Sequence, residues 1–367
     1  MTSPATPVRQ VPLHFTEDSR AGGTHVNLSA VRSDGEHLWV AGDETATVER
    51  LSAHTRDGVV TGYGDQVTVA LADLVALPAP GDEEADVEGL ARQGPWLWAI
   101  GSHSLKRKKV RPGDSPAKAR KRLGKVVREA NRYVLVRMPV DPATGLPVRE
   151  LELDGETLTA AVLGAHDDAL TDHLADEPLL APFGRIPSKD NGIDVEGVAV
   201  HSTGGVDRLY VGFRGPVLRG WAVVVEVRPV THPDDPHRLQ LGRFDGGERH
   251  RLHLLDLRGL GVRDLCPDGD DLLVLAGPSM GLSGPVRVHR WTGAGVTDAA
   301  EVVGADELPV VLELRHGDGE DHAEGIALLD ETDEHGHPRL LVVLDSPAAG
   351  RHTPGGGMLA DVLDLPR

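Results

Sequence analysis

The stretch DVEGLA, residues 86–91, sets the pattern from which the fold can be predicted. The same word returns as DVEGVA at 194–199 and as HAEGIA at 322–327, and a short turn and an apolar strand follow each copy. Two looser copies, NLSAV from residue 27 and GVRDLC from residue 261, have the same surroundings. A chain with five such openings is predicted to contain five structural repeats.

A fixed order of strands follows the opening words. The second strands are LWVAGD (38–43), LWAIGS (97–102), LYVGFR (209–214), LLVLAG (272–277) and LLVVLD (340–345). The third strands are predicted at 47–53, 131–140, 221–230, 285–291 and 357–365. Fourth strands are predicted at 66–71, 147–153, 250–257 and 309–314, whereas the fifth repeat ends after its third strand. A spare strand, VPLHF (11–15), precedes the first repeat.

Four strands per repeat, with the last repeat completed by the N-terminal strand, predict an all-β fold. The predicted architecture is a single five-bladed β-propeller over residues 1–367, closed by the N-terminal strand. Such closure protects the sheet edges that an open array would expose. The long interval between the second and third openings holds a basic stretch (104–130) and a second stretch (154–190), both predicted as helical inserts in the second blade. A six-bladed propeller stays possible if these inserts hide a strand pair.

The repeats also predict where polar side chains meet. Residues i and i+2 of a strand share a face, and the first strand of each propeller blade lines the central channel. Alignment of the repeats gives two layers at the channel mouth: Asn27, Asp86, Asp194, Gly261 and His322 in one, and Ser29, Glu88, Glu196, Arg263 and Glu324 in the other. The ends of the antiparallel second strands bring to the same rim Asp43, Ser102, Arg214, Gly277 and Asp345. Both inserts are predicted to emerge on this face.

Carboxylates held this close repel one another, so the rim needs neutralisation by a bound cation, by raised pKa values or by arginine partners. Arg263 and Arg214 could pair with the acids or could instead bind an anionic substrate. Calcium suits all-oxygen ligands, and the predicted metal ligands are Asn27, Asp43, Asp86, Asp194, His322 and Asp345. Paired carboxyl groups can also serve as acid and base in hydrolysis, and the predicted catalytic set is Glu88, Glu196 and Glu324. The residues predicted to bind an anionic substrate are Lys106, Lys189, Arg214, Arg219, Arg263 and His103.

Composition narrows the class of protein. The formal net charge of −19 argues against a nucleic-acid binder, because phosphate binding needs a basic face. No apolar run approaches the roughly 18 residues of a membrane span, and the N-terminus lacks the basic and apolar regions of a signal peptide, so a cytoplasmic protein is expected. The single cysteine, Cys266, stands where other repeats carry alanine and is predicted to be a small buried residue.

Longer segments of the chain are similar to a known family. They are DVEGLA…LWAIGSHSLKRKK, IPSKDNGIDVEGVAV…VGFRGPVLRGWAVVVEV, RDLCPDGDDLLVLAGPSM and HAEGIALLD…LLVVLDSP. Over nearly the whole chain they resemble the bacterial domain of unknown function 3616, which implies a propeller-like β fold and no established activity. The E-G-L/I/V-A openings alone resemble the phytase-associated esterase-like propellers, from whose pattern Ser29 and Arg263 depart.

These features predict a ligand or cation site at the channel mouth and leave the oligomeric state open. An enzyme built on this site would be a metal-assisted or carboxylate-driven hydrolase of a small anionic ester, sugar or phosphate compound. The alternative is a non-catalytic binding or scaffold propeller, whose carboxylates hold the blades together as ion-pair networks do in many proteins.

Overall fold

Segments rich in valine and leucine, bounded by glycine, aspartate and proline, form β-strands that make up nearly all the regular secondary structure of the chain. The computed structural model describes residues 4–317 and 320–366. The chain is all-β, as its repeats predict, and its helices are short. Among the described residues, no helix has the length and apolar character needed to cross a membrane.

The first repeat forms a four-stranded antiparallel meander, preceded by the N-terminal strand. The strands are β1 (Arg9–His14), β2 (Leu28–Ser33), β3 (His37–Gly42), β4 (Thr47–Arg56) and β5 (Val59–Ala70). Helix α1 (Glu17–Ala21) and the 3-10 turn Thr24–Val26 connect β1 to β2, and helix α2 (Leu71–Leu74) follows β5. The order β2-β3-β4-β5 agrees with the predicted order of the words.

The second repeat carries both inserts, and its predicted fourth strand is wrong. Its strands are β6 (Val87–Gln93), β7 (Trp96–Gly101), β8 (Lys106–Arg107), β9 (Val126–Val127), β10 (Leu135–Asp141), β11 (Leu146–Pro147), β12 (Glu150–Leu153), β13 (Glu156–Thr159) and β14 (Ala161–Leu163). The strand that follows β7 and β10 in this sheet is β14, which pairs with β10, whereas β12 pairs with β13 in a separate hairpin. The physical reason is burial, because β14 is wholly apolar and buried while both glutamates of β12 are exposed.

The two inserts are helical only in part. In the basic insert, α3 (Pro116–Leu123) begins at Ser115, whose side chain accepts a hydrogen bond from the Lys118 N–H. The second insert, expected to be helical over 154–190, instead holds β13 and β14. Its helical parts are α4 (Leu170–His173) and two 3-10 turns, Ala181–Phe183 and Ser188–Asp190. Apolar residues recur every three to four positions in this insert, but they belong to strands and single turns and not to a continuous helix.

The third repeat contributes a hairpin to the edge of the second. Its strands are β15 (Asp194–Thr203), β16 (Val206–Leu218), β17 (Trp221–Val227), β18 (Pro229–His232), β19 (Asp235–Leu241) and β20 (His250–Leu255). The predicted meander is β15-β16-β17-β20. The hairpin β18-β19 leaves it and lies parallel to β14, an extension that the repeat pattern did not predict.

The last two repeats complete the set. The fourth contains β21 (Gly261–Asp268), β22 (Asp271–Gly277), β23 (Val286–Trp291), β24 (Val302–Val303) and β25 (Val310–Leu314), with 3-10 turns Ala294–Val296 and Ala305–Glu307. The fifth contains β26 (His322–Thr332), β27 (Pro338–Asp345), the 3-10 turn Ala349–Arg351 and β28 (Gly357–Asp364). Strand β1 pairs antiparallel with β28, from Arg9 opposite Val362 to His14 opposite Gly357, so it supplies a fourth strand to the fifth repeat.

The apolar core lies between successive repeats. Among the described residues it divides into five clusters, each filled from two neighbouring repeats. Trp98 and Phe213 belong to the cluster between the second and third repeats. Cys266 is buried with Ile326 between the fourth and fifth, which confirms that it is a small buried residue.

The first strands of the repeats contact one another in sequence. Strand β2 contacts β6, β6 contacts β15, β15 contacts β21, β21 contacts β26, and β26 contacts β2. The glycine that follows the glutamate in three of the opening words permits this approach. A Cβ atom on Gly197 would lie 2.9 Å from the Cα of Asp264, and one on Gly89 would lie 3.0 Å from the backbone nitrogen of Val198. The repeated E-G pair therefore serves close packing between neighbouring first strands.

Each first strand also contains an irregularity at the third residue of its word. The register against the second strand shifts at Ser29, Glu88, Glu196, Arg263 and Glu324. A β-bulge leaves one residue unpaired in the ladder and turns its side chain. The five side chains of the second predicted layer are therefore released from regular strand geometry at equivalent positions.

Candidate functional site

The carboxyl groups at the starts of β6, β15 and β26 form the candidate site, which we call the acid ring. Its members are Asp86, Glu88, Asp194, Glu196 and Glu324. The first four are buried and Glu324 is half-buried. Burial of several carboxyl groups is unfavourable unless each is neutralised by a partner or by a proton, so the partners decide what the site can do.

Two arginines, one from the third repeat and one from the fourth, neutralise the carboxylates of the third and fifth repeats. Arg214 lies in β16, at the rim. Its Nε donates to Oδ2 of Asp194 at 2.7 Å, and its Nη1 forms an ion pair with Glu196. Arg263 donates from Nη1 to Glu196 at 3.0 Å and to Glu324 at 2.5 Å. A continuous ion-pair chain therefore runs from Asp194 through Glu196 to Glu324. Sequence analysis left open whether these arginines pair with the acids or bind an anionic substrate, and here both bind acids of the ring.

A third arginine, which the sequence analysis missed, neutralises the second repeat. Arg132 lies in the 3-10 turn Ala130–Tyr133 just ahead of β10 and is buried. It donates to Asp86 and Glu84, and from Nε to Glu129 at 2.8 Å. Even so, burial raises the pKa of Asp86 to about 7, against the opposing charge of Arg132. No repeat pattern marks Arg132, because its equivalent is absent from the other repeats.

Glu88 differs from the rest of the acid ring. In the part of the chain that the structure describes, no hydrogen bond or ion pair reaches its carboxyl group. Burial, followed by the charges of Asp86 and Glu196, raises its pKa well above the ordinary value. Burial likewise raises the pKa of Glu324 to about 8, despite the opposing charge of Arg263. The raised pKa values of Glu88 and Glu324 therefore favour protonated carboxyl groups in the ring at neutral pH.

The remaining predicted metal ligands lie in an outer group. His322 is opposite Asp345 in the β26–β27 register, with Nδ1 3.9 Å from Oδ2, and Asn27 forms an isolated bridge with Asp345. Burial and the charge of Asp345 raise the pKa of Asp43 to about 6, and Oδ1 of Asp43 is buried without a hydrogen-bond partner among the described residues. Within those same residues, no three His, Cys, Asp or Glu side chains are grouped so as to hold a metal ion. Calcium binding stays a prediction.

The predicted substrate ligands divide into three groups. Lys106 and Lys189 are exposed near the acids: Lys106 Nζ lies 3.2 Å from Glu84, and the charge of Lys189 interacts with Asp43. Arg219 is exposed in the turn after β16, without a hydrogen bond or ion pair to any described residue. His103 is buried and bonds through Nδ1 to the Gly101 carbonyl oxygen at 2.8 Å, so it does not join the acid ring.

A buried ion pair below the acid ring was also missed. Arg32 binds both carboxylate oxygens of Asp264, at 2.9 and 2.8 Å, and we call this the central ion pair. The same guanidinium donates to backbone carbonyl groups on β2, β15, β21 and β26, namely those of Val31, Val198, Leu265 and Ile326. Burial lowers the pKa of Arg32, but the charge of Asp264 outweighs this effect and the pKa is raised. The central ion pair thus joins four of the five first strands.

The comparisons with known proteins identify a family but no activity. The model of the family described as "Protein of unknown function (DUF3616)" matches residues 27–361, nearly the whole chain. No curated protein matches the sequence.

Solved structures with a similar fold are distant. Glutaminyl cyclase from Myxococcus xanthus is 11% identical, with a TM-score of 0.41, over 99% of this chain and 100% of that one. The PQQ-bound aldose sugar dehydrogenase from Streptomyces coelicolor is 13% identical, with a TM-score of 0.40, over 98% and 99%. The GH32 β-fructofuranosidase BmSUC1 from Bombyx mori is 12% identical, with a TM-score of 0.37, over 94% and 64%. Similarity at this level does not bear on function.

Proposed function

This chain belongs to the DUF3616 family, and we propose that it is a five-bladed β-propeller whose acid ring hydrolyses a small anionic ester, sugar or phosphate compound. Three observations support the blade assignment. Contacts between first strands run from β2 through β6, β15, β21 and β26 back to β2. The five apolar clusters of the described residues each join two successive repeats. Finally, β1 adds the fourth strand to the last repeat, as a propeller closed by both chain ends requires.

The unpartnered carboxyl group of Glu88 is the observation that carries the hydrolase proposal. A general acid must be protonated at the working pH, and its proton must not be engaged in a permanent hydrogen bond within the protein. The raised pKa of Glu88, caused by burial and neighbouring acids, meets the first condition. Its lack of a hydrogen-bond or ion-pair partner among the described residues meets the second.

Glu324 is the complementary group in this proposal. Coupled carboxyl groups titrate as a pair, and the member nearer to a positive charge ionises first. Arg263 contacts Glu324, whereas no arginine contacts Glu88 among the described residues. Glu324, whose pKa is about 8, therefore ionises before Glu88 and acts above that pH as the base that activates water, while Glu88 donates its proton to the leaving group. Lys189, exposed and within the field of Asp43 and Asp194, is suited to hold the anionic part of the substrate.

Turnover of a substrate panel tests the proposal. The purified chain is assayed against 4-methylumbelliferyl esters, glycosides and phosphate over a range of pH values. We expect at least one class to be hydrolysed with a bell-shaped pH profile, and Glu88→Gln to lower its rate by about 10²–10⁴-fold. Glu226→Gln is the matched control, because Glu226 is also buried but lies in β17, paired with Arg208. Absence of turnover for all classes, or equal rates for the two variants, contradicts the proposal.

A second candidate, a non-catalytic binding or scaffold propeller, rests on the ion-pair chain. Arg214 and Arg263 form ion pairs with acids of the third and fifth repeats and so link three successive repeats, which is what a purely structural network would do. On this view Glu196→Gln removes a partner from two buried arginines and lowers the unfolding free energy by about 3–5 kcal/mol. Glu88→Gln would then leave stability unchanged and alter no activity, because Glu88 bonds to neither arginine.

Calcium is tested separately. A calcium site would need several oxygen ligands at about 2.3–2.6 Å from the ion. Among the described residues, the outer acids Asp43 and Asp345 suit such a site best, because Oδ1 of Asp43 is buried without a hydrogen-bond partner. Calorimetric titration of chelator-treated protein with CaCl₂ measures binding directly. A saturable heat that Asp43→Asn abolishes supports a cation-assisted site, whereas no heat favours the carboxyl-driven reaction.

A further inference from the structure

A cavity of about 420 Å³ lies between the two inserts of the second repeat. Leu105 and Arg128 line it from the basic insert, and Leu174, Leu180 and Ile186 from the second insert. None of the acid-ring carboxyl groups lines it. The two inserts are joined beside it, because Arg107 Nε donates to Asp190 at 2.7 Å and the Ser188 N–H donates to the Leu105 carbonyl oxygen at 3.0 Å. The cavity is therefore a feature of the inserts, separate from the ring.

His103 lines this cavity and carries a buried hydrogen-bond acceptor without a partner among the described residues. The side chain lines the cavity and is 1% exposed. Its Nδ1 lies 2.8 Å from the Gly101 carbonyl oxygen, which can only accept, so Nδ1 carries the proton of this bond. Burial lowers the pKa of His103 to about 4, so the ring is neutral at pH 7 and Nε2 has a free lone pair. No described residue bonds to Nε2.

A buried acceptor without a partner needs a donor from outside the chain. Leaving such a group unsatisfied costs about 1–3 kcal/mol, and a ligand hydroxyl or N–H would satisfy it. His103 is also held in place, because it has a left-handed φ of 50° and packs edge-on against Tyr133 with ring centroids 5.8 Å apart. The acceptor is thus fixed in direction before any ligand arrives.

The rest of the lining selects the other parts of a ligand. Arg128 and Arg185 are exposed at the cavity, and the Arg128 guanidinium stacks 3.7 Å from the centre of the Tyr133 ring. Stacking orients a guanidinium and leaves its edge free for a carboxylate or phosphate. The buried apolar lining is formed by Leu174, Leu180 and Ile193. The cavity therefore combines the His103 acceptor, a cationic side and an apolar wall. Asp172 also lines it, and its carboxylate accepts a hydrogen bond from the Ala169 N–H at 2.9 Å.

We propose that this cavity binds an amphipathic anion that carries a hydroxyl group, with the hydroxyl donating to Nε2 of His103, the anionic group beside Arg128, and the apolar body against Leu174 and Leu180. The site is independent of the hydrolase proposal, because it uses no residue of the acid ring. It assigns the two inserts a function in holding a ligand beside the channel mouth.

Three matched probes test the cavity by isothermal titration calorimetry on the full chain. The probes are 3-hydroxyoctanoate, octanoate without the hydroxyl, and octane-1,3-diol without the charge. Loss of the hydroxyl leaves Nε2 unpaired, and loss of the charge removes the contact with Arg128. We therefore expect 3-hydroxyoctanoate to bind about 10-fold more tightly than either of the other probes. Equal affinities, or no saturable heat for 3-hydroxyoctanoate, would overturn the proposal.

Variants connect binding to the named residues. Arg128→Gln is expected to weaken 3-hydroxyoctanoate about 10-fold and to leave octane-1,3-diol unchanged. Arg120→Gln is the matched control, since it makes the same charge change on the exposed surface of α3 and does not line the cavity. His103→Asn keeps a residue that tolerates left-handed backbone and should make 3-hydroxyoctanoate bind as weakly as octanoate. If His103→Asn does not fold, the Arg128 pair and the probe series still decide. Equal affinity for 3-hydroxyoctanoate in the Arg128 and Arg120 variants refutes the site.

Discussion

Replacing Arg32 with leucine removes the cation of the central ion pair and keeps a side chain of apolar bulk. Asp264 would stay wholly buried, with the N–H groups of Leu265 and Ile326, at 2.8 and 2.9 Å, as its remaining donors. Removal of one partner from a buried ion pair typically costs about 3–5 kcal/mol. The backbone carbonyl groups on four first strands would also lose their common donor. We therefore expect a loss of about 4 kcal/mol in the free energy of unfolding.

The expected shift in melting temperature follows from chain length. An unfolding entropy of about 2.1 cal/mol/K per residue gives roughly 0.8 kcal/mol/K for 367 residues. A loss of about 4 kcal/mol then corresponds to a fall of roughly 5 °C in Tm, measured by scanning calorimetry. Arg50→Leu is the matched control, because Arg50 also donates to backbone carbonyl groups, those of Thr144 and Asp65, but at the half-buried surface. It should lower Tm by only about 1 °C.

Two further measurements show whether the loss comes from the ion pair. In the Arg32→Leu variant, burial raises the pKa of the unpaired Asp264 above its unfolded value, so the missing stability is recovered as pH falls and Asp264 takes up a proton. The deficit against wild type should therefore be smaller at acidic than at neutral pH. A double-mutant cycle with Asp264→Asn should give a coupling energy of at least about 1 kcal/mol. A Tm equal to that of Arg50→Leu, or no coupling, would refute a stabilising role for the pair.

Three other outcomes are expected, each measured as a change in Tm. Burial raises the pKa of Glu324 from 4.5 to about 8, so its contribution to stability is full below about pH 4.5 and is lost as pH rises through about 8. The Glu324→Gln variant should therefore show a smaller fall in Tm over that pH range. An unchanged slope would assign the fall to other groups. Gly197→Ala places a Cβ 2.9 Å from the Asp264 backbone and should lower the free energy of unfolding by about 1–3 kcal/mol. Gly350→Ala is the control and should be nearly neutral, because its Cβ would meet no atom within 4 Å. Similar losses for both variants would contradict close packing of the first strands. Arg132→Gln removes the main counter-charge of Asp86, whose pKa burial raises to about 7. Tm should therefore fall more above about pH 7 than below it. A loss that does not depend on pH would mean that Arg132 acts through packing alone.

The order of strands could be predicted from the sequence because each repeat carries its own evidence. Alternating apolar words and glycine-containing turns mark a meander locally, without reference to the rest of the chain. The fourth strand of the second repeat was missed for the opposite reason. Its neighbour in the sheet, β19, comes from the third repeat, so burial of the short segment Ala161–Leu163 depends on a distant hairpin. Local patterning does not carry that information.

The repeats could predict where the acids lie and could offer Arg214 and Arg263 as their partners, but they could not predict Arg132. Alignment of the opening words brings Asp194, Glu196 and Glu324 to one rim, and their ion pairs with Arg214 and Arg263 agree with that placement. The repeats placed Arg132 in the third strand predicted at 131–140, whereas it lies in a 3-10 turn ahead of β10 and reaches the rim from there. An arginine side chain is long and flexible, so its partner is decided by tertiary structure.

The central ion pair could have been inferred from departures within the repeats. Arg32 stands where the other opening words carry Ala91, Ala199, Cys266 and Ala327, and Asp264 stands where three of them carry glycine. A long cation at a position for a small residue would be costly alone, and so would a buried carboxylate at a position for glycine. The two exceptions offset each other because the ring of first strands brings them into contact.

The same logic explains why Arg263 interrupts the layer of glutamates. Five glutamates at equivalent bulges would repel strongly in a buried ring, and a strictly symmetric sequence has no means to neutralise them. Arg263 replaces one glutamate and contacts two others, Glu196 and Glu324. Glu88 contacts no arginine among the described residues, so the broken symmetry leaves one carboxyl group of the ring without a cationic partner. Under this view, the residues that depart from the repeat determine the chemistry of the site, whereas the residues that obey it determine the fold.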